Sequence, residues 1–208
     1  MKDDSLNSEH RKSIVAKQRD AFKRKGYHPN ALLWSSTDVQ EIRFQKITEI
    51  GIQAGQSVLD IGCGFGDFSD YLKRQEKQCD YTGIDISEEL ISAGQQRYPE
   101  ITLAVSDLFE YDPKPKSVDF VTLSGTLNYK NEDSETYALR IIERMYQSCK
   151  LGVAFNCLDA RHQWTAGRWD LQSFLPDEII AFTSDFADSC EIIDGYLEND
   201  FSVYLKRK

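Results

Sequence analysis

The sequence predicts a doubly wound α/β fold with a mostly parallel central sheet and an antiparallel hairpin at its C-terminal end. From residue 57 onward, short runs of β-branched residues alternate with helical segments, which is typical of βαβ units. Three glycines directly follow the first of these runs. The last two strand-like runs are separated only by the polar link Glu198-Asn199-Asp200, which favours a hairpin.

The alternation of β-branched runs and helical segments predicts where each strand and helix lies. Strands are predicted at residues 57–61, 81–86, 101–105, 118–123 and 153–158, with helices at about 66–75, 87–97 and 132–148 between them. A helix over residues 176–187 is expected to lead into the hairpin strands 191–196 and 201–206. The sequence shows no internal repeat or second-domain linker. We therefore expect residues 31–208 to form one domain.

The composition excludes several classes of protein. A chain of 208 residues with 40% hydrophobic residues can bury a full core, and no apolar run approaches the roughly 20 residues of a membrane span. The first ten residues lack the apolar stretch of a secretory signal, and the five cysteines have no metal-ligand spacing. These features indicate a cytoplasmic protein without a metal site or membrane partner.

Charge divides the chain into two parts. The net charge is −9, yet residues 1–30 carry eight Lys or Arg against four Asp or Glu. This basic N-terminal arm is predicted to form a helix over residues 8–25, with Ile14, Val15 and Phe22 on one side and Gly26 as its end. The arm is either a solvated helix or a lid over a pocket. The acidic remainder disfavours nucleic acid as a partner.

A second helix is expected between the arm and the first strand. It follows Ser35 and Ser36, and Ile42, Ile47 and Ile50 recur in it at helical spacing before Gly51.

A glycine-rich turn marks the candidate binding site. Residues Val58-Leu59-Asp60-Ile61-Gly62-Cys63-Gly64-Phe65-Gly66 place three glycines between the first strand and a helix, where a ligand can approach the backbone closely. Asp85 ends the next strand, 19 residues after Gly66. A carboxylate there can accept hydrogen bonds from both ribose hydroxyls of an adenosine-containing ligand.

The residues after the turn indicate which nucleotide it suits. A dinucleotide fingerprint requires Gly or Ala three residues after Gly64, but Asp67 stands there and Asp70 follows. Carboxylates in the first helical turn would repel a pyrophosphate. An adenosine ligand that carries positive charge, such as S-adenosylmethionine, fits these acids and Asp60 better.

These motifs resemble those of the class I S-adenosylmethionine-dependent methyltransferases. Leu59 to Gly66 matches the first motif of that family, and Gly83-Ile84-Asp85-Ile86-Ser87 matches the second. The whole set is similar to stand-alone bacterial members of unassigned substrate, including Leu33-Trp34-Ser35-Ser36 before the first strand and residues 200–205 at the end. The resemblance implies a Rossmann-like sheet, S-adenosylmethionine as cofactor and methyl transfer as the activity.

The resemblance also assigns cofactor contacts. It implies that Ser106, Asp107 and Leu108, after the third strand, hold the adenine, and that the segment from Ser124 borders the methionine part. The expected cofactor-binding residues are Asp60, Gly62, Cys63, Gly64, Gly66, Asp85, Ile86, Asp107, Leu108 and Ser124.

The methyl acceptor is expected beyond the fourth and fifth strands, because ligands of such sheets bind at the carboxyl ends of the strands. Those loops contain Asn128, Tyr129, Asn156, Asp159, Arg161, His162, Trp164 and Trp169. Their aromatic character favours a small-molecule acceptor. His162 and Tyr129 are the candidate catalytic residues, although His162 could equally be an exposed loop residue and the tryptophans could merely cap the core.

Methyltransferases that modify nucleobase amines typically carry an Asp/Asn-Pro-Pro-aromatic run after the fourth strand. This chain has Ser124-Gly125-Thr126-Leu127-Asn128-Tyr129 there instead, which further disfavours a nucleobase as the acceptor.

Three alternatives remain open at this point. The chain could be a non-catalytic S-adenosylmethionine-binding or partner-binding module, a nicotinamide-dependent oxidoreductase or an aminopropyltransferase on the same fold.

Overall fold

A computed structural model of the chain describes residues 8–28, 36–130 and 134–208. The predicted boundary between residues 30 and 31 lies outside these ranges, as do Leu33, Trp34, Ser35 and the predicted helix start at residue 132.

One mixed sheet organises the described residues. Its strands run in the order β3-β2-β1-β4-β5-β8-β7, and β6 pairs with the far end of β5. Strands β1 to β6 are parallel, whereas β8 runs antiparallel to both β5 and β7. The strands are β1 Ser57–Ile61, β2 Asp80–Asp85, β3 Thr102–Val105, β4 Val118–Leu123, β5 Cys149–Asp159, β6 Ser173–Phe174, β7 Ser189–Leu197 and β8 Asp200–Lys206. The predicted doubly wound sheet with a C-terminal hairpin is confirmed.

Eight α-helices and one 3-10 turn are described. They are α1 Ser8–Lys25, α2 Thr37–Thr48, α3 Asp67–Arg74, α4 Glu88–Arg97, α5 Leu108–Tyr111, α6 Ser134–Ser148, α7 Gln163–Ala166 and α8 Pro176–Thr183, with the 3-10 turn at Thr126–Asn128. Side-chain caps begin several of them: Ser36 accepts a hydrogen bond from the Val39 amide, and Ser87 accepts one from the Leu90 amide. No described helix is long and apolar enough to span a membrane.

Both faces of the sheet are covered, as parallel strands require. Leu59, Val121 and Phe155 lie on one face and pack with residues of α6 and α8. Val58 and Phe120, one position earlier in β1 and β4, lie on the opposite face with residues of α2, α3 and α4. The period-two alternation of strand side chains thus separates two apolar layers.

Several elements differ from the predictions. Strand β5 begins at Cys149 and not at residue 153, because α6 passes into it at Ser148 without a turn residue between them. Helix α8 ends at Thr183 and not at residue 187. The short elements α5, α7 and β6 were not predicted, since four or fewer residues show no readable periodicity.

A buried carboxylate connects the three central strands. Asp60 on β1 is 4% exposed and accepts hydrogen bonds from the Tyr81 hydroxyl on β2 at 2.6 Å and from the Thr122 hydroxyl on β4 at 2.8 Å. Burial raises the pKa of Asp60 from 3.8 to about 7, despite the opposing effect of these hydrogen bonds. The folded protein therefore holds a proton on Asp60 that the unfolded chain releases above pH 4.

We expect the Asp60→Asn variant to be less sensitive to pH than the natural protein. Since the folded-state pKa of Asp60 is raised, its contribution to stability is present below pH 4 and is lost as the pH rises through 7. Asparagine is neutral throughout. The free energy of unfolding of the variant relative to the natural protein should therefore rise between pH 4 and pH 8 by an amount on the order of a few kcal/mol. Urea denaturation across this range measures it, and a constant difference would contradict the assignment.

Candidate active site

A cavity of about 370 Å³ lies at the carboxyl ends of the parallel strands. It is centred on β1 and β4, where the strand order reverses and open α/β sheets bind their ligands. Its lining includes seven of the ten expected cofactor-binding residues: Gly62, Gly64, Asp85, Ile86, Asp107, Leu108 and Ser124.

The loop after β1 reaches the cavity through two glycines with positive φ. Gly62 has φ +68° and Gly64 has φ +58°, a region that favours glycine. The Gly62 and Cys63 amides both donate to the Ile84 carbonyl, at 2.8 and 3.0 Å. A side chain at position 62 would also overlap the Thr126 hydroxyl. The loop therefore needs glycine there for both its backbone conformation and its packing.

Asp85 lies at the end of β2 beside this loop. Its carboxylate accepts hydrogen bonds from the Gly64 amide at 3.0 Å and the Ser87 amide at 2.9 Å. Burial raises the pKa of Asp85, and these amide hydrogen bonds lower it in part. A carboxylate has about four acceptor positions, so Asp85 retains capacity for further donors from the cavity that it lines.

Asp107 caps the N-terminus of α5 and lines the cavity. Its Oδ1 accepts the Phe109 and Glu110 amides, both at 2.9 Å, as part of a capping box with Glu110. Its Oδ2 is buried without a hydrogen-bond partner, although the Arg11 guanidinium lies 3.6 Å away. A buried carboxylate oxygen in this state is suited to a donor on a ligand.

Three more buried oxygens on the cavity wall have no hydrogen-bond partner within the described part of the chain. They are Gln18 Oε1, Ser124 Oγ and Asn128 Oδ1. Together with Asp107 Oδ2 they comprise three obligate acceptors and one hydroxyl. The cavity is therefore complementary to a ligand rich in hydrogen-bond donors, such as an exocyclic amine, ribose hydroxyls and an ammonium group.

Asp60, Cys63 and Gly66 do not line the cavity. Asp60 lies beneath the loop in the network described above. The Cys63 thiol packs against Gly83, and burial raises the pKa of that thiol. Gly66 has φ +84° and begins α3, where a side chain would meet Ile101. These residues shape the loop from behind the surface that a ligand would contact.

The acids of α3 also lie outside the cavity lining, which corrects the expectation that they favour a positive ligand there. Asp67 accepts hydrogen bonds from the Tyr27 hydroxyl and, at 3.0 Å, from the Tyr98 hydroxyl. Asp70 pairs with Arg74 at 3.1 Å. Asp67 thereby connects the segment after α1 to α4.

Of the two catalytic candidates, Tyr129 lines the cavity and His162 does not. His162 directly precedes α7. Burial and the nearby charge of Asp85 raise the pKa of Tyr129 above its ordinary value of 10. Its phenol therefore stays protonated at neutral pH and can donate a hydrogen bond, but it is a poor general base.

The other residues expected near the methyl acceptor also fall into two groups, those that line the cavity and those that do not. Asn128 and Trp164 line the cavity, whereas Trp169 is 86% exposed and lies outside it. Asn156 is buried behind the wall, where it accepts the Gly125 amide at 3.0 Å. Asp159 and Arg161 pair with each other at 2.7 Å outside the lining.

The structure adds wall residues that the sequence analysis missed. Ile14 and Gln18 on α1 line the cavity, as do Val39 and Arg43 on α2 and Tyr137 on α6. The sequence did indicate that Ile14 lies on the apolar side of α1, which could have marked it as a contact with the rest of the protein. Nothing local marked Arg43, whose buried ion pair with Asp200 joins residues 157 positions apart in the sequence.

Comparison with known proteins identifies the family. A family model described as a methyltransferase domain matches residues 58–162, half of the chain. A protein of Mycobacterium tuberculosis named as a methyltransferase is 27% identical over 142 residues, covering 66% of this chain and 76% of its own length. A trans-aconitate 2-methyltransferase of the same species is 28% identical over 92 residues. That match covers 44% of this chain and only 34% of the relative.

Solved structures share the fold along most of the chain. The N-methyltransferase NodS of Bradyrhizobium japonicum, in complex with S-adenosylhomocysteine, has a TM-score of 0.62 at 16% identity and covers 96% of this chain and 97% of its own. The plantazolicin methyltransferase BpumL, also with S-adenosylhomocysteine, has a TM-score of 0.63 at 15% identity, with coverage of 96% and 98%. A small-RNA methyltransferase, HEN1, has a TM-score of 0.62 at 14% identity, with coverage of 82% of this chain and 25% of its own.

The family match covers the strands and loops that build the cavity, from β1 to the segment after β5. The cofactor expected from the glycine turn and the cofactor of the matched family are the same, and a non-catalytic module is not favoured. The chain belongs to the methyltransferase domain family and is an S-adenosylmethionine-dependent methyltransferase.

Proposed function

We propose that this enzyme holds S-adenosylmethionine between the loops after β1, β2 and β3 and transfers its methyl group to a small-molecule acceptor seated toward β4 and β5. The sheet order supports this division, because β3, β2 and β1 lie to one side of the reversal and β4 and β5 to the other. The observation that carries the proposal is the cavity itself, whose wall combines the cofactor motifs with residues of α1 and α2.

The hydrogen-bond acceptors on the cavity wall match the hydrogen-bond donors of the cofactor. Asp107 Oδ2 is assigned to the exocyclic amine of adenine, since it is buried without a hydrogen-bond partner. Asp85 is assigned to the ribose hydroxyls. Gly62, Gly64 and Ser124 border the space for the methionine part, where positive φ angles bring the backbone to the surface of the cavity.

When bound, S-adenosylmethionine supplies a methyl group already activated by the positive charge on its sulfur. The methyl carbon would bond to the nucleophile of the acceptor as its bond to sulfur breaks, with the electron pair of that bond retained by sulfur. The nucleophile then releases its proton to water. The residues of the chain act by aligning the reacting atoms and excluding water. Tyr129 donates a hydrogen bond that orients the acceptor, since burial keeps its phenol protonated.

Helix α1 is proposed to act as the lid over this cavity. Ile14 and Gln18 face the cavity from it, and Arg11 pairs with Glu110 beside the adenine-site carboxylate. Beyond its end, the Tyr27 ring packs on Phe65 at 4.5 Å and beneath the Arg97 guanidinium at 4.1 Å. These contacts hold the basic arm against the acidic body of the protein.

A small molecule suits this site better than a polymer. The cavity volume lies in the range of small-molecule sites, about 300–1,000 Å³. The net charge of −9 opposes a nucleic-acid backbone. The name of the trans-aconitate relatives supports the same class of acceptor. The five cysteines are free thiols, which supports the proposal that the enzyme works in a reducing cytoplasm.

We expect Asp85→Ala to weaken S-adenosylhomocysteine binding by about 2 to 3 kcal/mol, because charge-assisted hydrogen bonds to the ribose are lost. Asp70→Ala is the matched control, since Asp70 pairs with Arg74 outside the cavity. Isothermal titration calorimetry on both variants, with a cooperative thermal melt as proof of folding, measures the effect. Equal affinities of the folded Asp85→Ala variant and the natural protein would refute the ribose assignment.

The acceptor class is tested with methyl-labelled cofactor. The enzyme is incubated separately with total RNA, genomic DNA, a protein lysate and a small-metabolite fraction. We expect label in the metabolite fraction, at a rate well above that of heat-inactivated enzyme. Incorporation confined to the RNA, DNA or protein samples would show that the proposed acceptor class is wrong.

A further inference from the structure

We propose that the acceptor is an uncharged, largely apolar molecule that carries its nucleophile as an N–H or O–H group, and that the site excludes polycarboxylates. This inference rests on the proposed function, because it concerns the acceptor half of the same cavity.

The acceptor half of the wall is mainly apolar. Its apolar members are Val39 on α2, Leu158 near the end of β5, Trp164 on α7, Leu171 before β6 and Leu197 at the end of β7. Trp164 is half exposed, so its ring is accessible at the cavity. Apolar walls of this kind bind ligands through the area that they remove from water. An apolar acceptor body is complementary to them.

The charge of this half is neutralised within the protein. Arg43 is the cation among the described lining residues, and its guanidinium forms a buried ion pair with Asp200. Asp200 also accepts hydrogen bonds from the Tyr196 hydroxyl and, at 3.4 Å, from the Asn156 amide. Breaking this arrangement to bind an anion would leave Asp200 buried without its counter-ion, which is costly.

Two arginines near the cavity are engaged as well. Arg168 stacks over the Trp164 ring at 5.0 Å, but its guanidinium pairs with Asp170 at 2.7 Å and lies outside the lining. Arg161 is held by Asp159 and Asp194. Of the segments outside the described ranges, 29–35 and 131–133 contain no Lys, Arg or His, and 1–7 contains Lys2. Among the described lining residues, a polyanionic acceptor would thus meet only Arg43, whose charge is already paired, and not the positive partners that its desolvation requires.

A cationic acceptor is disfavoured for the complementary reason. The sulfonium of the cofactor is positive, and the carboxylates of the lining, Asp85 and Asp107, lie on the cofactor side of the sheet. A protonated amine also has no lone pair with which to attack. A neutral nucleophile avoids both penalties.

The polar groups in the acceptor half suit a neutral donor. Asn128 Oδ1 is buried at the cavity after β4, and Ser124 Oγ is buried where the acceptor half borders the proposed methionine part; neither has a hydrogen-bond partner among the described residues. An N–H or O–H group on the acceptor would satisfy one of these oxygens and hold the nucleophile beside the end of β4. The geometry therefore selects for a donor next to an apolar body.

Fractionation of a metabolite extract by charge tests this inference. Anionic, cationic and neutral fractions, together with trans-aconitate as a defined anion, are incubated with methyl-labelled cofactor. We expect label in the neutral fraction at least tenfold above that in the anionic fraction or trans-aconitate. Preferential labelling of the anionic or cationic fraction would overturn the inference while leaving the small-molecule proposal intact. Absence of label from all these samples would refute the proposed function, and the inference with it.

Two tryptophans provide a matched pair of variants. Trp164→Ala removes an aromatic wall and should lower the rate of labelling of the neutral fraction about tenfold, with little change in S-adenosylhomocysteine affinity. Trp169→Ala, at a site 86% exposed and outside the cavity, should change neither quantity. Equal labelling rates for the two folded variants would count against the apolar acceptor site.

A charge variant gives an independent readout. Asp200→Asn removes the counter-ion of Arg43 and should raise the labelling of the anionic fraction relative to the neutral fraction severalfold. An unchanged ratio in the folded variant would contradict the role of this ion pair in excluding anions. If Asp200→Asn does not fold, the fractionation of the natural enzyme and the tryptophan pair decide the question.

Discussion

The hydrogen bond from the Gly64 amide to the Asp85 carboxylate is the contact on which the site depends. It joins the loop after β1 to the end of β2, and the Gly62 and Cys63 amides reinforce the connection through the Ile84 carbonyl. Without positive φ at Gly62 and Gly64 the loop could not make these bonds. These bonds fix the loop against the end of β2, and the Thr126 side chain of the 3-10 turn packs against Gly62 on the other side.

Two separate networks of buried polar groups lie behind the wall of the cavity. Beneath the cofactor loop, Asp60 joins β1, β2 and β4 through the Tyr81 and Thr122 hydroxyls. Beneath the proposed acceptor half, Asn156 accepts the Gly125 amide and donates to Asp200, the partner of Arg43. The first network supports the glycine turn, and the second positions the loop after β4 while neutralising the charge of the wall.

The sequence was sufficient where the signal is local. Alternating β-branched runs placed β1 and β4 at their observed bounds, and the basic helix was found at 8–25, since both kinds of signal lie within one segment. The Asp107–Glu110 capping box was also readable, and it could have revealed α5. Seven of the residues predicted to bind the cofactor meet at one cavity because the sheet topology brings strand ends together.

Long-range packing was not predictable. Arg43 and Asp200 are 157 positions apart, and neither has a local pattern that points to the other. Trp164 and Trp169 are the same residue type in the same connecting segment, yet Trp164 lies on the short helix α7 and lines the cavity, whereas Trp169 lies beyond the end of that helix and faces solvent. Similarly, the acids after the glycine turn looked available for a ligand, but the Tyr27 and Tyr98 hydroxyls bind Asp67.

The most direct test of this account is a crystal structure of the enzyme with S-adenosylhomocysteine. We expect the adenine amine within hydrogen-bond distance of Asp107 Oδ2, both ribose hydroxyls on the Asp85 carboxylate, and the homocysteine part along Gly62, Gly64 and Ser124. Adenine located elsewhere, or a ribose that makes no contact with Asp85, would contradict the assignment of the cavity as the cofactor site.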